Sequence, residues 1–405
     1  MPFDTTTSLP AAATGTVLEN GAFSPGPQLP RSPRLTRPAE PVPGKKSPKK
    51  VPRPEFSLRE ARALLGDDLR PKPWVYWTDL VLSWSGAMVT FKAVQIGSLG
   101  VPLRVLAFVV SCLLLYRCAL FIHELAHLPQ REFRAFRFVW NLLCGIPMLI
   151  PTFVYQTHLD HHRRKHYGTN HDGEYLPLLN RPVWHAIGYV AQSLVIPLLA
   201  IIRFGLLTPL TWISGPTRDW VHRHASSMII DPRYLRPLPS RKALRGIRYQ
   251  ELGCFLFLAA MTFGVVRSLY GQGFLDPWFL PQLYATAVAI VTLNAVRTLG
   301  AHRYVNDADA NHDRPMTFVE QLLDSVNYPN HAWASILWGP IGTRYHALHH
   351  LFPSLPYHAL ETAHRRLMAG LPADSPYRKT TGQSLLHEVG QLLRHAGRRA
   401  EQPGG

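Results

Sequence analysis

Apolar and polar stretches alternate along the chain in blocks of membrane-crossing size. Six apolar blocks stand out: Trp74 to about Ile96, Val105 to Ile122, Val139 to Tyr155, about Ile187 to Ile213, Leu252 to Tyr270, and Trp278 to Val296. A helix needs about 20 mainly apolar residues to span the hydrocarbon core. The first, second, fifth and sixth blocks come near that length and are the expected spans. The third has 17 residues and two prolines, and the fourth is broken by Pro197, Arg203 and Pro209, so neither is expected to cross.

Ahead of the blocks, Ser57 and Glu60 form a capping box that opens a short amphipathic helix, LREARALL. This belongs to a lead-in over 57–73, followed by a membrane domain over 74–370 and a polar, amphipathic tail over 371–405. Residues 1–56 hold twelve of the 36 prolines and almost no apolar cluster, the composition of a disordered arm. Arg31, Arg34, Arg37, Lys45, Lys46, Lys49, Lys50 and Arg53 make its later part basic, suited to anionic lipid headgroups or to plain solvation.

Charge narrows the class. The 405 residues carry 43 Lys and Arg against 26 Asp and Glu, a formal net charge of +17. A nucleic-acid binder and a membrane protein with basic loops both fit that total. The distribution separates them. Eight Lys/Arg lie in Ser214–Gln250 and six between Arg131 and Lys165, whereas Gly271–Pro277, between the fifth and sixth blocks, has none. This follows the positive-inside rule, and no zinc-finger or base-reading motif accompanies it, so no nucleic-acid partner is expected. The mean hydropathy of −0.04 then averages apolar spans against a polar arm and cap. Cys112, Cys118, Cys144 and Cys254 lie in apolar segments with no C-x-x-C pair, and are expected as buried structural thiols. The opening MPFDTTTSLP has no basic stretch leading into an apolar one, so no cleavable signal peptide is expected.

The candidate chemistry rests on histidine. Of 20 His, eight fall in three clusters: HELAH at 123–127, HLDHH at 158–162 and HALHH at 346–350. Separations of three and four residues return to one helix face, so each cluster is expected to project its rings in one direction, about 5–6 Å apart. Neutral imidazoles converging in this number suit iron, zinc or copper. A catalytic zinc takes three protein ligands and would leave five of these His idle, so two metals are expected. The same count leaves the H-E-x-x-H protease reading, with Glu124 as general base between His123 and His127, as a remote alternative.

Convergence also constrains topology. Clusters on one side of a membrane need an even number of spans between them. Only the third block separates the first two clusters, and the fourth to sixth separate the second from the last. The two blocks least suited to crossing are those that parity requires not to cross. The expectation is an all-α integral membrane fold: four transmembrane helices, interfacial helices and a cytosolic helical cap that holds a His-rich metal site.

The three boxes resemble those of the membrane fatty acid desaturases and their hydroxylase relatives, whose pattern is H-x(3,4)-H followed by two H-x(2,3)-H-H boxes. The runs HHRRKHYGTNHD and HHLFPSLPYHAL after the second and third boxes look like the same family. The resemblance covers about residues 74–370. It implies two non-haem irons (Fe2+/Fe3+) held by His123, His127, His158, His161, His162, His346, His349 and His350, with dioxygen as co-substrate. A further His near the end of the last span often completes such a site, and His302 in RTLGAHRY matches that placement. His166, four residues after His162, is a second candidate, while His171, His312 and His331 are assigned to loops or the interface. Glu124 and Asp160, lying between ligands, are candidates to orient imidazole N–H groups, or are simply solvated carboxylates. No catalytic residue beyond the ligands is expected.

The activity implied is that of a membrane-bound acyl-lipid desaturase. Hydroxylation or ketolation of a lipid or carotenoid is the alternative, since these chemistries share ligands and differ in substrate positioning. No His-Pro-Gly-Gly haem motif, cysteine cluster or G-x-G-x-x-G site occurs. Electrons are therefore expected from a separate small protein of ferredoxin or cytochrome type. Arg131, Arg163, Arg164, Lys165 and the run Arg241–Arg248 offer a basic face for an acidic donor.

Overall fold

The computed structural model of the chain describes residues 56–272, 279–304 and 316–396. The arm up to residue 55, most of the junction between the last two apolar blocks, and His312 lie outside them. Every named element among the described residues is helical, and strand-like pairing is limited to isolated bridges such as His302 with Ser325.

Helix α1 (Leu58–Leu65) begins at the cap expected from sequence, the Ser57 hydroxyl accepting from the Glu60 amide. Helices α2 (Pro73–Ala93) and α3 (Val101–His127) pack along one another. Asp79 of α2 is tolerated because Arg117 of α3 donates to both its oxygens and the Tyr357 hydroxyl adds a third bond at 2.7 Å. The third apolar block breaks up as its prolines dictate. Helix α4 (Arg134–Trp140) runs into a π turn at Asn141–Gly145, and a 3-10 turn at Thr152–Tyr155 then leads to α5 (His158–His161).

Helix α6 (Trp184–Ala191) precedes an 18-residue helical run, in which α7 (Ile196–Ile201) and α8 (Thr208–Ile213) flank a π segment at Ile202–Leu207. Helix α9 (Gly215–His224) leads into the long α10 (Arg241–Leu269) and α11 (Phe279–Ala301). Short helices complete the chain: α12 (Phe318–Asp324), α13 (Ala332–Trp338), α14 (His346–Leu351), α15 (Leu360–Gly370) and α16 (Leu385–His395).

Among the described residues, four helices are long and apolar enough to cross a membrane: α3, Ile196–Ile213, α10 and α11. The number agrees with the sequence expectation, but one member differs. The first apolar block forms a 21-residue helix, α2, that is not among the four, because Asp79, Lys92 and several hydroxyl and indole groups dilute it. By length and composition alone, the Ile196–Ile213 run of the fourth block qualifies instead. Pro197 and Pro209 fall in the first turns of α7 and α8, where a missing N–H costs no helical bond, and the π segment absorbs the register. Arg203 in that segment is buried against Glu251 of α10, and also donates to Thr208 Oγ1 and the Ala225 carbonyl.

Only 6% of the most apolar window of α10 is buried. Leu256, Phe263, Val266 and Leu269 stand exposed along it, an apolar belt of the kind that faces lipid. Inside, Tyr76, Phe121, Phe133, Phe136 and Trp140 share one core, in which Tyr76 and Phe133 meet edge to face with centroids 5.0 Å apart. A second core joins α1, α12, α14 and α15 through Leu65, Leu322, Leu348, Leu360 and Leu367, and so fixes the helix bearing the third box. Residues after Gly370 fold back on this frame. Gly300 of α11 lies so close to Leu385 of α16 that a Cβ there would meet its side chain.

Candidate metal centre

The three boxes and His302 meet in two groups. One ring nitrogen from each of His123, His127, His158, His162 and His349 lies within 4.8 Å of the others, and the same holds for His161, His302, His346 and His350. The expectation that each box points its rings one way needs correcting. In the second box His158 and His162 enter the first group and His161 the second; in the third, His346 and His350 enter the second group and His349 the first. Neighbours on a helix differ by about 100° in direction, so an H-x-x-H-H box delivers an i,i+4 pair one way and its middle His another.

The nitrogens stand at metal-ligand spacing. Nε2 of His158 and His162 are 2.9 Å apart, His162 and His349 3.1 Å, His302 and His346 2.9 Å, and His346 and His350 3.1 Å. Two ligands at right angles on an ion with bonds of about 2.1 Å are about 3.0 Å apart. Both ring nitrogens of His123 and Nε2 of His127 are buried without a hydrogen-bond partner, a cost that a bound cation removes. An all-imidazole set in two such groups fits two borderline metal ions.

Carboxylates orient three of the rings. His158 Nδ1 lies 3.0 Å from Glu174 Oε2 and His161 Nδ1 2.8 Å from Asp172 Oδ2. His302 Nδ1 is 2.8 Å from the Tyr167 hydroxyl and 3.3 Å from Asp324 Oδ2, and Tyr167 itself donates to Asp324 at 2.7 Å. With Nδ1–H engaged, Nε2 offers its lone pair to a metal.

These partners are not those expected. Glu124 instead accepts from the Tyr76 hydroxyl at 2.7 Å and the Tyr357 amide at 3.3 Å, which also removes it from the general-base role of the protease reading. Asp160 faces away, pairing with Arg163 at 2.6 Å and His166 at 3.4 Å. His166 lies beside His171, rings tilted and centroids 5.3 Å apart, and belongs to neither group; His331 occupies the N-cap position of α13. Sequence held one clue to the true partners, since Asp172 and Glu174 follow the second box within the stretch HHRRKHYGTNHDGE. Nothing comparable marks Asp324.

Electrostatics favour neutral rings. Burial, reinforced by neighbouring imidazoles, holds His158, His162, His346, His349 and His350 well below the ordinary imidazole value. Burial also lowers His302, against the pull of Asp324. His161 is the exception: burial acts to lower it, but Asp172, with Glu174 and Asp324, raises it on balance. Burial pushes Glu174 up to about 8, against the opposing effect of His161. Neutral imidazole is the form that binds metal. A cavity of about 220 Å³, lined by His161, His162, His350, Tyr167 and Arg164 among others, reaches ligands of both groups, and Arg164 lies over the Phe318 ring at 4.3 Å.

Comparison with known proteins agrees with this geometry. Residues 99–381 match the fatty acid desaturase family model. The chain is also similar to a ceramide hydroxylase of Caulobacter vibrioides (strain NA1000 / CB15N), 37% identical over 345 residues, covering 83% of this chain and 93% of the relative. All three boxes and His302 fall within the matched segment, and this membrane-associated oxidoreductase belongs to the fatty acid desaturase family.

Proposed function

We propose that the protein is a membrane lipid hydroxylase that acts on a ceramide-type lipid at a di-iron site held by the nine clustered histidines. The observation that carries this reading is the division of those histidines into groups of five and four, each at ligand spacing. The named activity of the 37% identical relative tilts the first expectation, desaturation, toward hydroxylation. Bound iron, with dioxygen and two electrons, supplies an oxidant for an unactivated C–H bond: R–H, O2, two electrons and two protons give R–OH and water. His123, His127, His158, His162 and His349 would hold one ion, and His161, His302, His346 and His350 the other. Glu174, Asp172 and the Tyr167–Asp324 pair keep three rings in the tautomer that binds.

Parity supports a multi-pass topology. Three helices apolar enough to cross separate His162 from His302, yet both belong to one centre. An even number must cross, and Ile196–Ile213, with its buried Arg203, is the one assigned to the interface. Helices α2, α3, α10 and α11 then span, and the basic tracts support a metal site on the cytosolic side. Electrons come from a separate ferredoxin- or cytochrome-type protein.

Desaturation of an acyl chain is the second reading, favoured by the family match itself. Expression in a heterologous host, followed by mass spectrometry of total lipids, separates the two. Gain of one oxygen on ceramide supports hydroxylation; loss of two hydrogens supports desaturation.

A further inference from the structure

We propose that Arg297 recognises the polar group of the lipid substrate, so that the oxidised carbon lies only a few atoms from that group. This deepens the reading of a ceramide-type substrate and rests on it. Arg297 lies in α11, a helix apolar enough to span the membrane, and is only 7% exposed. A charge in such a place is costly and marks a functional cavity more often than a packing role. Two of the other three buried arginines pair with a carboxylate, Arg203 with Glu251 and Arg344 with Glu361, and the third, Arg236, donates to the Ser226 carbonyl and to Gln156 Oε1. Arg297 forms no ion pair among the described residues. Its Nη2 donates to neutral oxygens on its own helix, Asn294 Oδ1 at 3.1 Å and Thr298 Oγ1 at 3.2 Å, the guanidinium also bonds the Tyr116 hydroxyl of α3, and its Nε has no partner.

Its location gives the vacant donor a purpose. Five residues, about 7.5 Å of helical rise, separate it from His302. Glu174, whose Oε2 meets His158 Nδ1 at 3.0 Å, stands beside the first ligand group. Glu174 Oε1 is likewise buried without a partner. A free donor and a free acceptor thus lie near the ligands. A lipid amide with a neighbouring hydroxyl carries the complementary pair, a carbonyl that accepts and an O–H or N–H that donates. Moored here, such a lipid can bring only carbons close to its polar group to the metals, and a mid-chain methylene lies out of reach.

The test uses the full-length protein in lipid nanodiscs, loaded with zinc so that no turnover occurs. Binding of ceramide is compared with that of a dialkyl ether of matched chain length, which lacks amide and hydroxyl. A charge-assisted hydrogen bond lost from a buried site weakens binding by about tenfold to a hundredfold. R297Q is expected to lose that much ceramide affinity while its metal content and its binding of the ether stay unchanged. R297K, which keeps the charge without the fork, should fall between. In the iron-loaded enzyme R297Q should raise KM with kcat little changed. Wild-type affinity for ceramide in a metal-replete R297Q overturns the proposal. The wild-type product gives a check that needs no variant: an oxidised carbon far down the chain from the polar group also overturns it. If the wild-type protein ignores ceramide, the ceramide reading falls by itself. The lipid it does convert then decides on Arg297 by the same two criteria.

Discussion

His302 and Asp324, 22 residues apart in sequence, come within 3.3 Å of one another, and the Tyr167 hydroxyl bonds to both. This fixes the ring of the one candidate ligand that stands outside the three boxes. Removing such a partner of a ligating His costs about 10–100-fold in metal affinity. Asp324→Asn should therefore weaken one of the two metal sites by about that factor and leave the other intact, read by chelator competition on the purified protein. Equal weakening of both sites, or of neither, contradicts the assignment of His302 to the four-histidine group.

The buried rings make the metal-free protein acid-sensitive. Their folded values lie below the unfolded imidazole value of about 6.5. Between those limits the unfolded chain binds more protons, so stability rises with pH through the window and levels off above it. His161, raised in the fold, acts in the opposite sense, one group against six once His302 is included. Thermal unfolding of metal-free protein should shift to lower temperature as pH falls from about 7 to about 5. Metal-loaded protein should resist the shift, since bound imidazoles do not take up protons. A midpoint independent of pH without metal contradicts this.

Arg203 and Glu251 form a buried pair that ties the Ile196–Ile213 run to α10. Breaking one partner of a buried pair costs about 3–5 kcal/mol, whereas replacing both with apolar residues is often close to neutral. R203M and E251M should each destabilise by about that amount, and the double variant should recover most of the loss. Chemical unfolding in detergent measures this, and strictly additive losses would show that the two charges are not coupled.

Much of the fold and site was legible because it rests on local periodicity. Apolar block length marked the helices, and i,i+3 and i,i+4 spacing gathered the boxes. What escaped depends on contacts that spacing does not encode. Asp324 reaches His302 only through the packing of α12, while Glu124, adjacent to a ligand in sequence, points to Tyr76. The two prolines and Arg203 counted against a continuous helix in the fourth block, because sequence does not show that Pro197 and Pro209 fall at helix starts or that Arg203 pairs with Glu251.

If nine histidines form a two-metal centre, the metal can be counted. Full-length protein purified from iron-replete cells should carry two irons per chain and little zinc by elemental mass spectrometry, and His349→Ala should lose iron while keeping its helix content. One zinc per chain, or full iron in the His349→Ala protein, would contradict the account.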